Sequence, residues 1–388
     1  VDSGSVWILY ERNNSLKNTG KQVMHLGKYG KSDFMSLDLS FYKGKKVLVT
    51  GHTGFKGTWL CKILINAGAK VIGYSLKPDS KPNLFEISGI ENNMVNIFAD
   101  ICDFESLSKV FEEYNPEIIF HLAAQPIVRK SYKNPRYTYE TNVMGTVNIM
   151  ECIRLNSCVK SVLNVTTDKV YHNNEWCWGY RENEPLDGFD PYSNSKSCSE
   201  LVTHSYKNSF FNDRKIAVST ARAGNVIGGG DFSVDRIIPD CVRAVSENKI
   251  IFVRNPHSIR PYQHVLEPLT VYLEIAEKQY KDLKYQGYYN VGPDDCDCIT
   301  TGDLVSLFCK YWEGNASWET KVDSDAPHEA NFLKLDCNKL KSTFDWKPKW
   351  HIEKSIEMVC KFSKIFLIDG VISSEMDKEI NEFLNWRI

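Results

Sequence analysis

A chain of 388 residues is longer than one ordinary small domain and implies two domains, or one large domain with an elaborated half. With 42% hydrophobic and 25% charged residues it reads as globular, and 47 basic against 49 acidic side chains give a formal net charge of -2, without the basic excess that nucleic acid or an anionic membrane demands. No apolar run approaches the ~20 residues of a membrane span and no signal-peptide pattern opens the chain, so no membrane partner is expected and the cytoplasm is the expected compartment.

In chain order, residues 1–40 show no sustained period and are rich in Asn, Ser, Lys and Gly, which predicts a loosely ordered extension. From Lys46 onward, short β-branched runs alternate with longer segments of helical period: KVLVT, KVIGYS, MVNIF, EIIFHL, SVLNVT and IAVSTAR. That alternation predicts a parallel sheet covered by helices on both faces, an α/β doubly wound fold of Rossmann type with right-handed crossovers. After about Ile227 the rhythm breaks into turns and shorter elements. Residues 41–227, with returning segments, are therefore expected to form the nucleotide-binding domain, and 228–388 mainly a smaller substrate-binding lobe. The twelve cysteines have no C-x-x-C pair and no zinc spacing, which predicts reduced thiols. The closest pair, Cys296 and Cys298, reads as loop, and no metal is expected.

The first strand runs straight into TGHTGFKGTWL. Gly51 suits a tight turn, Gly54 a close backbone approach to a pyrophosphate, and Gly57 close helix packing, with the helix N-terminus facing the phosphates. This strand-to-helix setting predicts a dinucleotide site. The tip of the second strand offers Ser75 and Lys77, with Asp79 later, so this position leaves NAD against NADP open. Asp100 and Ile101 close the third strand, where a carboxylate can accept from an adenine amine. The fifth run, VLNVTTDKVYH, ends with Thr167, Asp168 and Lys169 side by side at a strand's carboxyl end, where doubly wound sheets bind ligands. Downstream, DPYSNSKSCSE carries Tyr192 and Lys196 one helical turn apart, and an ammonium beside a phenol is expected to lower the phenol's pKa.

Together these residues resemble the extended short-chain dehydrogenase/reductases, and among them the CDP-glucose 4,6-dehydratases. The resemblance runs from about Phe41 to Phe366 and rests on GHTGFKGTWL, HLAAQPIVRKSY, TNVMGTVNIME, TTDKVYHNNEWCWGYRENEP, PYSNSK, RAGNVIGGGDFSVDRIIPD, RNPHSIRPYQHVLEPL and APHEANFLKLD. It implies a lyase with NAD as catalytic cofactor and CDP-glucose or a similar nucleotide sugar as substrate. Carbon 4 is oxidised, water leaves across carbons 5 and 6, and the hydride returns to carbon 6. Thr167 is then the partner of the carbon 4 oxygen, Asp168 the acid to the leaving hydroxyl, and Tyr192 with Lys196 the oxidation pair. Lys169 departs from the glutamate typical of dTDP-glucose dehydratases and serves as base or as charged anchor.

By the same resemblance Gly51, Thr53, Gly54, Phe55, Gly57, Ser75, Asp100, Ile101, Ala123, Ala124, Gln125, Asn142, Tyr192 and Lys196 line the cofactor. Gln125, Arg129, Asn225, Arg236, Arg260 and Asn290 meet the substrate. Trp176 and Trp178 shape the hexose pocket or pack a lid. Apolar faces over 138–155 and 194–211 imply a homodimer or homotetramer. A sugar-nucleotide 4-epimerase and a non-catalytic dinucleotide sensor are the competing readings; the epimerase has no need of Asp168, and the sensor none of Tyr192 and Lys196.

Overall fold

The computed structural model describes residues 37–321 and 332–385. Apart from residues 37–40, the expected N-terminal extension lies outside the described residues. Asp38 Oδ1 accepts from Ser40 N at 2.9 Å and caps the single 3-10 turn Leu39–Tyr42. Tyr42 is fully buried and donates its hydroxyl proton to Leu273 O at 2.6 Å, which anchors this turn.

Six strands fall on the six apolar runs: β1 Lys46–Thr50, β2 Lys70–Ser75, β3 Val95–Phe98, β4 Ile118–His121, β5 Ser161–Thr167 and β6 Ala217–Ala223. The remaining strands are β7 Asn225–Ile227, β8 Ile251–Val253, β9 Ile259–His264, β10 Tyr288–Val291, β11 Cys298–Thr300 and β12 Trp318–Thr320. The main sheet has seven parallel strands in the order β10-β6-β5-β4-β1-β2-β3. The chain leaves β1 toward β2 and β3, then returns to β4 on the other side. The crevice at the carboxyl ends of β1 and β4 is therefore the topological switch point, where such sheets bind ligands.

β4, β5 and β6 are buried along their whole length, as strands covered on both faces must be. Alternation divides their neighbour β1 between two cores. Val47 and Val49 pack with Trp59, Leu60 and Leu269 on one face, while Leu48 packs with Phe111, Ile149 and Ile153 on the other. Trp59 is fully buried and donates its indole N–H to Gly229 O at 3.0 Å, so a change to Ala costs about 3–5 kcal/mol. A separate cluster of Ile238, Val253, Leu304, Phe308 and Ile356 forms the centre of the later elements.

Those elements meet the main sheet at several places, one of them a joint beside β6. β6 ends at Ala223 and β7 begins at Asn225, and β9 pairs parallel with β7 and antiparallel with β11. A Cβ on Gly224 would lie 2.7 Å from Pro261 Cγ and 3.3 Å from Asp168 Oδ2. No side chain fits there, so the small sheet comes directly against the end of β5. Among the described residues, no helix is long and apolar enough to cross a membrane.

Candidate active site

The glycine turn after β1 is close-packed against the loop after β4. Gly51 has φ of 75°, and its added Cβ would stand 2.8 Å from Ala123 N. At Gly57 a Cβ would meet Gly51 O at 2.1 Å, so only glycine lets the helix Phe55–Asn66 start this near the strand. Gly54 is that helix's N-cap and makes no side-chain cap, which leaves the first-turn amides for an anion. Thr53 ties the turn to the tip of β2: its hydroxyl donates to Leu76 O at 2.9 Å and stands 3.0 Å from Ser75 Oγ. Asp79 is exposed, and Lys77 lies over the Phe98 ring at 5.8 Å. Asp100 Oδ1 accepts from Cys102 N at 2.9 Å, and Ile101 is buried so near Gly145 that a Cβ there would lie 2.7 Å away. The phosphate cradle, hydroxyl tip and carboxylate in sequence along the carboxyl edge fit an adenine dinucleotide.

Ala123 and Ala124 line the loop after β4, where Ala123 N donates to Thr50 Oγ1 at 3.2 Å. Gln125 and Asn142, expected at the cofactor, hold internal partners here. Gln125 is buried, its Oε1 accepts from Ile127 N at 2.7 Å, and its Nε2 donates to Thr138 Oγ1 at 3.0 Å. Asn142 accepts from Gln125 N at 2.8 Å and donates to Ser195 Oγ at 2.9 Å. Both side chains are turned into the protein, where they brace the loop against the helix Pro191–Tyr206.

That helix is started by Asp190, whose carboxylate accepts from Tyr192 N and Ser193 N at 3.0 Å each, with Pro191 in the first turn. Its face toward β5 is lined with small polar residues, which permits a close approach. Ser197 donates to Val170 O at 2.7 Å, and Asn164 donates to Ser199 Oγ at 3.0 Å. Lys196 reaches under the sheet end and donates to Val165 O at 3.1 Å. Burial pushes the Lys196 ammonium down to about 8, against the pull of Glu200. Tyr192 corrects the sequence expectation. Burial pushes its phenol up to about 12, opposed by hydrogen bonding to Thr167 and by the Arg236 charge. Spacing shows the turn that Tyr192 and Lys196 share; it does not show the desolvation that outweighs it.

At the end of β5, Thr167 Oγ1 donates to Asp168 Oδ1 at 2.9 Å, and Lys169 Nζ donates to the same oxygen at 3.2 Å. Lys169 also reaches Asn225 Oδ1 at 3.4 Å. Asp168 is fully buried, and its Oδ2, beside the Gly224 joint, has no hydrogen-bond partner. A buried carboxylate oxygen left unpartnered is costly, and function is the usual reason to keep one. The three residues that the sequence sets side by side thus form one array, together with Tyr192 and Asn225.

Facing it is a cationic group that sequence reasoning missed. Lys56, in the first turn after Gly54, is pushed down to about 7, first by burial and then by the charges of Arg236 and Lys196, against Asp168 and Asp231. Arg236 is paired with Asp231 at 3.1 Å, and Arg260 is buried with a guanidinium N–H donating to Ile259 O at 2.8 Å. Arg129 is partly buried in the helix Val128–Lys133. Asn290, expected to meet the substrate, holds internal partners here. It is fully buried on β10, accepts from Tyr171 OH at 2.6 Å, and donates to Tyr180 O and Asp336 O at 2.7 and 3.0 Å. With both ends of its amide occupied it braces the Tyr171–Tyr180 loop. Trp176 stacks on Tyr180 at 5.3 Å in that loop's own small core, while Trp178 is exposed.

Comparison with known proteins bears on the family and the fold. Residues 48–359 match the family model described as GDP-mannose 4,6 dehydratase. A CDP-glucose 4,6-dehydratase of Salmonella typhimurium is 45% identical over 357 residues, covering 90% of this chain and 99% of the relative. A dTDP-glucose 4,6-dehydratase of Haemophilus influenzae is 24% identical over 340 residues, 81% of this chain and 97% of that protein. Among solved structures, dTDP-glucose 4,6-dehydratase from Bacillus anthracis in complex with NAD superposes with a TM-score of 0.71 at 22% identity, over 83% of this chain and 97% of its own. UDP-glucuronic acid 4-epimerase from Bacillus cereus, with UDP-glucuronic acid and NAD, gives 0.71 at 21% identity, over 83% and 99%. The doubly wound fold expected from the strand rhythm is the fold these structures share.

Proposed function

The chain belongs to the GDP-mannose 4,6 dehydratase family, and from that premise we propose that it is an NAD-dependent lyase converting CDP-glucose to CDP-4-dehydro-6-deoxyglucose and water. The observation that carries this reading is Asp168. A carboxylate buried at the end of β5, with one oxygen held by Thr167 and Lys169 and the other unpartnered, suits an acid for a leaving hydroxyl. A 4-epimerase has no departing group and no use for it.

Tyr192 is the group for the carbon 4 hydroxyl proton, with Thr167 beside it to orient the carbon 4 oxygen. NAD, when bound, would supply the hydride acceptor for carbon 4 and the donor for carbon 6, while the Thr167 hydrogen bond and the Arg236 charge oppose the burial that holds the Tyr192 proton. Gly51, Gly54 and Gly57, with Thr53, Ser75 and Asp100, would hold the dinucleotide. Asp168 Oδ2 is the atom placed to carry the proton to the carbon 6 hydroxyl. Lys169 donates to Asp168 and Asn225, which supports an anchoring role; to take the carbon 5 proton it must first release its own. Lys56, Arg236 and Arg260 supply positive charge for the substrate diphosphate. Met144 and Leu155, with Leu201 and Phe210 on the neighbouring helical segment, are exposed apolar residues that support a homodimer across these segments. The twelve free thiols support a reducing compartment, the cytoplasm.

The test is incubation of purified protein with CDP-glucose and a trace of NAD. A 4-keto-6-deoxy product formed over many turnovers, with no net reduction of the cofactor, is expected. Reduced cofactor in proportion to product, or a carbon 4 epimer retaining its carbon 6 hydroxyl, would overturn the reading.

A further inference from the structure

We propose that Cys296, Asp297 and His351 form a binding site for a divalent transition metal of the zinc type, outside the catalytic cleft. Asp297 is buried, and its Oδ1 accepts from Ile352 N at 2.9 Å, which fixes the carboxylate at the start of the helix Ile352–Leu367. Its other oxygen stands 2.8 Å from His351 Nδ1, and Cys296 Sγ stands 3.9 Å from that same nitrogen. The convergence on Nδ1 decides between two readings. A thiol–imidazole–carboxylate relay needs thiol and carboxylate on opposite ring nitrogens, because one nitrogen takes the thiol proton while the other is oriented by the acid. Here both approach one nitrogen, so a relay is excluded; the 2.8 Å contact is a His351–Asp297 ion pair, and a shared metal ion would take the place of its proton on Nδ1.

The sulfur–nitrogen distance is close to what such an ion needs, and carboxylate and imidazole must part by about 0.5 Å from their hydrogen-bonded 2.8 Å. Zinc bond lengths in a tetrahedron put sulfur and nitrogen donors about 3.6 Å apart and nitrogen and oxygen donors about 3.3 Å apart. All three donor atoms lie within 4.8 Å of one another, and this is the one such group among the described residues. A mixed sulfur, nitrogen and oxygen set favours zinc or cobalt over magnesium or calcium. Cys296 and His351 are exposed, which gives an entry path and room for water as a fourth ligand. Binding forms the three metal–ligand bonds and releases to solvent the Cys296 thiol proton and the proton shared by His351 Nδ1 and Asp297. Spacing alone pairs Cys296 with Cys298; the fold pairs it instead with a histidine 55 residues away. The ion would clip the turn before β11 to that helix. β11 pairs Ile299 with Arg260, so the clip would steady the strand that carries Arg260.

The full chain, stripped with a chelator and dialysed, is titrated with cobalt(II) and with zinc chloride. One equivalent of cobalt should give a thiolate-to-cobalt charge-transfer band, lost in Cys296→Ser and His351→Ala and kept in Cys298→Ser. Zinc at a hundredfold excess over its Kd should raise Tm by roughly 3 °C in the wild type and in Cys298→Ser, and leave Cys296→Ser unmoved. Because Cys296 is exposed, its serine variant keeps the test valid even where His351→Ala folds poorly. A cobalt band that survives Cys296→Ser, or no stoichiometric binding by the wild type, would overturn the proposal.

Discussion

Asp168→Asn separates the two halves of the proposed reaction. The substitution keeps the shape of the side chain and an oxygen at Oδ1, so Thr167 at 2.9 Å and Lys169 at 3.2 Å retain an acceptor. The Thr167 bond now ends on a neutral acceptor and the Lys169 bond keeps only its charged donor, a loss of roughly 1–2 kcal/mol together. The new amide N–H group stands where Oδ2 had no partner, so net stability should move by no more than about 2 kcal/mol, a Tm shift below ~5 °C. Activity has no such compensation. An amide cannot donate a proton to a leaving hydroxyl as an acid does, and loss of a general acid slows its step ~10²–10⁴-fold, or about 2.7–5.4 kcal/mol of barrier. In a single-turnover experiment the variant should oxidise CDP-glucose, accumulate reduced cofactor and bound 4-ketoglucose, and release dehydrated product slowly. Tyr192→Phe is the comparator, with no reduced-cofactor signal at all. Dehydration by Asp168→Asn within tenfold of wild type would refute the acid assignment, and so would loss of the oxidation step alongside it.

Lys169→Met tests the base: if Lys169 takes the carbon 5 proton, solvent deuterium exchange at carbon 5 collapses in the variant, and exchange at the wild-type rate leaves Lys169 as an anchor. Lys56→Met should raise the KM for CDP-glucose about 10-fold or more. Because Lys56 is pushed down to about 7, wild-type kcat/KM should fall as pH rises through 7, and a profile unchanged by the substitution would remove Lys56 from the site. Glu267 is raised to about 7 by burial, although Lys349 N and Trp350 N donate to its Oε1. A carboxyl with a raised folded pKa holds a proton that the unfolded chain gives up between about pH 4.5 and 7, so it destabilises the fold progressively across that window and fully above it. Glu267→Gln should therefore gain about 2–3 kcal/mol relative to wild type between pH 5 and pH 8 in urea denaturation, and a pH-independent difference would refute the burial argument.

The sequence announces most of this fold because its central strands are covered on both faces, and continuous β-branched runs are what such strands require. YYNV, the segment of β10, carries no such run. It becomes a strand through its register with Thr220–Ala223 of β6, which is tertiary information. The array at the end of β5 was legible because adjacent residues and a one-turn spacing are local facts. Lys56 was not, because only the fold brings Arg236 and Asp231 to the first turn of a helix that starts at Phe55. The phenol of Tyr192 shows the same limit from the other side: its neighbours follow from spacing, and its burial does not. Gln125, Asn142 and Asn290 stand in the right segments, yet each side chain is occupied by partners inside the protein.

The position of β10 also bears on how the chain comes off the ribosome. β6 is buried along its whole length, and one of its edges is covered only by a strand that ends at Val291. Until that segment emerges, the nascent chain presents an apolar strand with a bare row of amides and carbonyls, the kind of template on which chains pair with one another. A protein cut after Ile227 would keep the glycine turn, Asp168, Tyr192 and Lys196, and would keep that bare edge permanently. It should collect in the pellet on expression, while a chain continued past β10 stays in the supernatant; a monodisperse, NAD-binding fragment 37–227 would show that the edge needs no cover.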